Sequence, residues 1–408
     1  MRSGFLHSSL LAVLSLLFSS GCSRGSGNPD EVGEVVAYAP VAVSKTVTKK
    51  VFVHLMPWFE TKESNKGSWG IHWTMSTRDP DRTDAGGKRE IAAHFYPLTG
   101  PYASGDTTVI DYQLLLMKLS GIDGVLIDWP GRQTVHDYPL LVKNTAAIVS
   151  RLDRVGLRFA IVYEDQNLVN AVDKVATAKS DISWLQQHYF PRADYEKMAG
   201  KPLLLDFGPQ VLQNAADWTA VFSGLNPRPS FFTLWFESGE AGANAAGEFA
   251  WIPRDHLTTL NAFYANGYPG IKIGAAYPGF YSFYAEGGWS GPTWSIPHNG
   301  TATFLQTLDL ALEQPGIDYV QLATWNDYGE GTMIEPTREF GYDFLIALQQ
   351  RLGVENIGKQ HLEMVAEWYR LKKERINDRP AKRKLDQVFY DLVSLQLTKA
   401  EALLDSFN

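Results

Sequence analysis

The chain has 408 residues, 45% hydrophobic and 20% charged, with a formal net charge of −8 and a pI near 5.6. That length accommodates one large α/β domain with insertions, and the acidic balance argues against a nucleic-acid partner, which calls for a basic stripe. The 12 Trp, 18 Tyr and 21 Phe offer many flat faces of the kind that stack on sugars, although aromatic residues are ordinary core material too.

Residues 1–22 read as an export signal: Met1-Arg2, an apolar run from Leu10 to Phe18, then Ser19-Ser20-Gly21 before Cys22. The run is too short to span a bilayer as a stable helix. Cys22 is the single cysteine, and small residues immediately before it resemble a bacterial lipoprotein processing signal, in which that Cys is lipidated; simple secretion is the other reading. The expectation is an exported bacterial lipoprotein, outer-membrane, periplasmic or at the cell surface. It would meet a membrane only through this anchor, be monomeric and contain no disulfide. Residues 23–48, rich in Gly, Ser and charge, are expected to be a flexible tether.

Residues 49–59 begin the folded part as a buried strand ending in His54, Trp58 and Phe59. Residues 60–106 show no sustained periodicity but carry Trp69, His72, Trp73 and the His94-Phe95-Tyr96-Pro97 run. A loop of that length is usually functional or disordered, and this one is too aromatic for disorder. Strand and helix patterns then alternate, with strands at 124–131, 158–165, 201–208, 230–237, 272–280 and 319–325 and an eighth possible at 248–252. Helical spacing appears at 108–121, 138–155, 182–190, 211–222 and 299–314. This alternation predicts a (β/α)8 barrel over residues 49–350, with residues 351–408 as C-terminal helices packed on it. A cluster of Lys and Arg at 372–384 is expected to be a solvated face, acidic lipid or glycan being the other reading. Thr398 to Glu401 spells a capping box.

The stretch 319–336 concentrates chemistry. It begins as a strand and turns into a Gly-broken loop carrying Asp327, Glu330 and Glu335 beside Trp325 and Tyr328. Acids at the C-terminal end of a barrel strand suit glycosidic hydrolysis, which needs one carboxyl as acid and another as base or nucleophile. A solvated acidic loop is the plain alternative. Other strand ends carry Asp128 and Trp129, Glu164 and Asp165, Asp206, Glu237 and Tyr277, and a lone Asp there caps the following helix as readily as it catalyses. Neither HExxH nor CxxC occurs, and GxxxxGK[ST] is missing too, so no metal or cofactor is expected.

Residues 94–131, with the aromatics of 69–73 and WNDYGEGTMIEP at 325–336, resemble glycoside hydrolase families 71 and 99. Tyr96, Pro97, Gly100, Pro101, Tyr102, Ser104 and Asp106 match a YPxxGPYxSxD stretch of family 99, the endo-α-mannosidases and endo-α-mannanases. The resemblance implies a barrel, an oligo- or polysaccharide substrate, Asp327 as the base and Glu330 as the acid. It also implies Glu164 and Tyr277 as substrate-binding residues. The Asp at 327, where family 99 has Glu, looks like the α-1,3-glucanases of family 71. Trp58, Trp69, His72, Trp73, Trp129, Trp325, Tyr328 and Glu335 complete the expected substrate-binding set. A surface glycan-binding protein without turnover is the rival reading.

Overall fold

The computed structural model describes residues 34–266 and 270–407. The signal, Cys22 and residues 23–33 of the expected tether lie outside them. Eight parallel strands close a barrel: β1 Lys50–Leu55, β2 Gly124–Trp129, β3 Arg158–Tyr163, β4 Lys201–Asp206, β5 Ser230–Leu234, β6 Ala245–Phe249, β7 Ile271–Ala276 and β8 Tyr319–Leu322. Closure is made by β8 on β1, with Val51 opposite Val320, and by β3 on β4, with Ile161 opposite Leu204. The predicted (β/α)8 barrel is therefore present. Strands such as GVLIDW of β2 are buried along their whole length, because a parallel sheet is covered by helices outside and packed side chains inside. The uncertain strand lies at Ala245–Phe249 rather than 248–252. Glu248 and Phe249 belong to it, but Trp251 and Ile252 already lie in the following loop, so the apolar content of that loop shifted the expected boundary.

Helices between strands are α1 Thr107–Leu119, α2 Tyr138–Val155, α3 Lys174–His188, α4 Ala215–Val221, α5 Leu257–Ala265 and α6 Ala302–Glu313. After β8 come α7 Asp343–Leu352, α8 Lys359–Glu374, α9 Arg379–Val393 and α10 Leu397–Asp405. Asp106 caps α1, accepting from the N–H groups of Thr108 and Val109 at 2.8 and 3.4 Å. Such a cap stabilises a helix by about 1 kcal/mol. Every residue of α1 from Val109 to Leu119 is buried, since α8 packs over its outer side. The capping box expected at Thr398 does not form, because α10 begins at Leu397 and Thr398 is already inside it.

Residues 35–48 are ordered against the fold, which corrects the expected tether boundary. Val36 N–H donates to Gln387 of α9 at 2.8 Å, Val41 N–H to Val393 O at 3.0 Å, and Thr46 N–H to Leu352 O at 3.1 Å. Lys45 pairs with Asp123 at 2.5 Å and donates to Gly121 O at 2.9 Å. The backbone groups of this low-periodicity segment find partners on α7, α9 and the loop before β2, a tertiary supply that local patterning does not reveal.

Candidate active site

The loop after β8 brings the two principal acids together. Thr324 Oγ1 accepts from Asp327 N–H at 2.8 Å, and Asp327 Oδ1 accepts from Glu330 N–H at 2.9 Å. Two glycines make this turn. Gly331 has φ +67°, and a Cβ there would stand 2.8 Å from Tyr281 O; at Gly329 a Cβ would press on Tyr284 and Met75. A strap at residues 280–284 is clasped to the loop by Tyr281 N–H on Glu330 O and Phe283 N–H on Gly329 O, both 2.8 Å. The strap delivers Tyr284, whose hydroxyl lies beside Glu330 and favours its ionised form.

A second acid pair faces the first. Asp128, near the end of β2, and Glu164, just after β3, lie within hydrogen-bond reach of each other, and Asp128 also acts on Asp327 electrostatically. Two carboxyl groups can bond directly only when one keeps its proton. Burial pushes Asp128 up to about 6. Burial, then the neighbouring Asp128 charge, pushes Glu164 well above its usual range. Burial raises Asp327 to about 7, opposed by the N–H groups of Glu330 and Gly329. Glu330 is pushed well up by burial and then by Asp327. Among the described residues no cation offsets these four carboxyls. The cluster can therefore hold protons near neutrality while keeping an ionised partner, which is what acid–base chemistry needs. No three His, Cys, Asp or Glu side chains among the described residues are grouped to hold a metal ion.

An aromatic wall continues outward from Tyr284. Trp289 lies 6.0 Å from it, His72 meets Trp289 edge-on at 5.9 Å, and Trp58 stacks on His72 at 4.4 Å with a 6° tilt. His72 also pairs with Asp137 at 3.3 Å. Trp58, His72 and Trp289 are each partly exposed, so the wall offers ring surface to a ligand.

Several expected substrate-binding residues are instead parts of the supporting core. Glu335 is 2% exposed and accepts from Gln113 at 2.7 Å and from the hydroxyls of Tyr102 and Tyr328 at 2.8 Å each. Its oxygens are occupied, and Tyr328 is turned inward to reach it. Trp73 is fully buried, stacked on Phe59 at 4.0 Å and donating to Tyr102 O at 2.8 Å. Trp129 and Trp325 are also fully buried. Tyr277 is closed off, its hydroxyl 3.0 Å from His256 Nδ1. Trp69 bonds Asp81 at 3.0 Å and stacks under Arg89. Asp165 spends both oxygens on the N–H groups of Gln210, Val211 and Leu212, so it organises a loop. Tyr284 and Trp289 are the members that sequence reasoning missed, since both lie in a stretch without periodicity. Asp128 was named at its strand end, with a helix cap as the equal reading, and was left out of the expected site set.

No protein-family model and no curated protein matches the chain. Among solved structures it is similar to the GH99 endo-alpha-mannosidase from Bacteroides thetaiotaomicron, at 17% identity and a TM-score of 0.58 over 81% of this chain and 100% of that one. The same enzyme in complex with Bis-Tris-propane gives 17% and 0.58 over 82% and 100%. A protein described as glycoside hydrolase-like gives 13% and 0.56 over 78% and 97%. These are likenesses of fold.

Proposed function

We propose that the chain is a glycoside hydrolase acting on an α-linked glycan, in the manner of an endo-α-mannosidase or mannanase. The observation that carries this reading is the meeting of Asp327 and Glu330 with Asp128 and Glu164 at the C-terminal end of the barrel, where burial raises all four. The fold it shares with an endo-alpha-mannosidase adds support. In this reading Glu330, kept protonated by burial, gives its proton to the leaving glycosidic oxygen as the C–O bond breaks. Asp327 accepts a proton from the group that attacks the anomeric carbon, either water or the substrate's own 2-hydroxyl. Asp128 and Glu164 hold sugar hydroxyls beside it, and Trp58, His72 and Trp289 carry the ring faces further out.

An inverting, α-1,3-glucanase-like reaction is a second reading, favoured by one feature. Asp327 is a methylene shorter than Glu, and a shorter carboxylate leaves room for a water. The test is reducing-end release from α-mannan and α-1,3-glucan by wild type and Glu330→Gln. Release lost in the variant supports the reading, and the polymer cleaved selects the substrate. Equal release by both proteins removes Glu330 from its role. We also propose export of the chain as a lipoprotein through Cys22, tested by palmitate labelling of wild type against Cys22→Ser.

A further inference from the structure

Within a chain of net charge −8, residues 372–384 hold seven cationic and two acidic side chains. The structure folds this stretch into the corner between α8 and α9. Glu374 is engaged by Arg370 at 2.5 Å, and Asp378 caps α9 through Ala381 N–H at 3.1 Å; seven cations less these two acids leave the stretch with an excess of five positive charges. Lys372 pairs with Asp386 and Lys373 with Asp106. Arg375, Arg379, Lys382 and Arg383 are exposed and, among the described residues, make no ion pair. Ile376 stands among them, 68% exposed at the turn. Ile376 borders a cavity of about 420 Å³ over Trp368 whose charged lining is Arg151, Arg154, Lys372, Arg375 and Lys382 with Asp111 and Asp386. Asp111 takes Arg151 and Arg154, and Asp386 takes Lys372, which leaves Arg375 and Lys382 as its unpaired charges. An aliphatic tip ringed by unpaired cations, two of them on a hollow, is an arrangement that meets an anionic bilayer, the aliphatic group entering the interface and the cations taking phosphates.

The course of the chain points to the same occupant. Val41 is bonded at the C-terminal end of α9, to Val393, and Val36 is bonded to Gln387. Read backwards, the chain thus runs along α9 toward the basic corner. Arg379, Arg383 and Gln387 are spaced i, i+4, i+8 and share one stripe of the helix. Residues 23–35 separate Val36 from Cys22, a span of at most about 50 Å when extended. A lipid anchor at Cys22 would hold the corner within reach of a bilayer.

We propose that the α8–α9 corner is a docking surface for an anionic phospholipid membrane, with the hollow receiving a headgroup phosphate. It does not depend on the catalytic reading. The test is co-sedimentation of the full chain carrying Cys22→Ser, so that no acyl chain contributes. Vesicles of phosphatidylglycerol and phosphatidylethanolamine are compared with phosphatidylcholine alone. Partition is expected on the anionic vesicles only, lost at 0.5 M salt. It should fall about fivefold for each of Arg375→Gln, Arg379→Gln, Lys382→Gln and Arg383→Gln, and fall again for Ile376→Asn. Thermal melting should not move, because these side chains are exposed. Equal partition on neutral vesicles, undiminished partition of the four-site variant, or capture by an acidic polysaccharide with no vesicle binding would each overturn the proposal.

Discussion

The backbone N–H of Glu330 donates to Oδ1 of Asp327 at 2.9 Å, so the residue proposed as acid steadies the ionised form of the residue proposed as base. Burial works against that ionised form and leaves Asp327 at about 7, while Glu330 is held well above its ordinary range by burial and by Asp327 itself. The proposed reaction needs Asp327 without its proton and Glu330 with it. The acid limb of kcat/KM is therefore expected near pH 7, with the alkaline limb set by Glu330. A pH–rate profile checks this, and maximal activity at pH 5 would contradict the assignment. Asp327→Asn should lower kcat by 100-fold or more, the usual order for loss of a catalytic base.

The same groups set the direction of pH-dependent stability. Asp128, Asp327, Glu164 and Glu330 all have folded-state values raised above those of an unfolded chain, so the folded state binds more protons than the unfolded state between about pH 4 and 7. Stability contributed by these groups is present at low pH and falls as pH rises through their folded values. Urea unfolding should give a larger free energy at pH 5 than at pH 8. Asp128→Asn, which removes a buried ionisation, should recover on the order of 2 kcal/mol at pH 8. An unchanged difference between the two pH values in that variant would show that Asp128 is not strained.

Trp58 and Trp73 were indistinguishable as candidates in the sequence, and the structure separates them. Trp58 is partly exposed on the wall beside His72, whereas Trp73 is enclosed between Phe59 and Tyr102. Trp58→Ala is expected to raise KM about tenfold, the order of one lost stacking contact, with melting little changed. Trp73→Ala should cost about 3–5 kcal/mol of stability, as truncating a buried aromatic ring does. Steady-state kinetics and chemical denaturation of the two variants distinguish these roles.

The barrel was legible because its strands are buried on both faces, and continuous apolar runs such as VLI at 125–127 and LLL at 203–205 stand out between helical stretches. The loop after β8 stood out as a candidate site because Asp327, Glu330 and two glycines sit where such a run stops. The wider site was not. Which face Trp129, Trp325 or Tyr277 presents depends on packing between distant segments, and the pairing of Asp128 with Glu164 depends on the register of β2 against β3, with Asp128 opposite Val162. Residues 35–48 were misread for the same reason, since their partners lie between 76 and 351 positions away.

Glu335 supports the loop rather than the substrate. Three neutral donors, from Gln113, Tyr102 and Tyr328, converge on its carboxyl, and burial raises it to about 7 even so. Glu335→Ala would leave those donors buried without an acceptor, at about 1–3 kcal/mol each before relaxation. The expected result is a loss of several kcal/mol in urea unfolding, and lower kcat in what remains folded. Glu335→Gln keeps an acceptor oxygen and should recover most of the stability. If Glu335 contacted substrate instead, the Gln variant would show a raised KM with normal unfolding.

Gly331 links the loop after β8 to the strap that carries Tyr284. Its φ of +67° lies in the left-handed region, and an added Cβ would meet Tyr281 O at 2.8 Å and the Phe95 ring at 3.1 Å. Gly331→Ala thus adds about 1–2 kcal/mol of backbone strain and pushes on the peptide whose N–H bonds Glu330 O. Tyr284 should then lose its place against Glu330, and displacement on the order of 1 Å at such a site lowers kcat about 100-fold. Gly316, with φ +77° and nothing within 4 Å of an added Cβ, supplies the control. Gly316→Ala carries the backbone strain alone, so it should lower the melting temperature and leave kcat intact. Equal kcat loss in both variants would mean that strain, and not displacement of the strap, governs the site. Loss confined to Gly331→Ala would place Tyr284 in control of the acid.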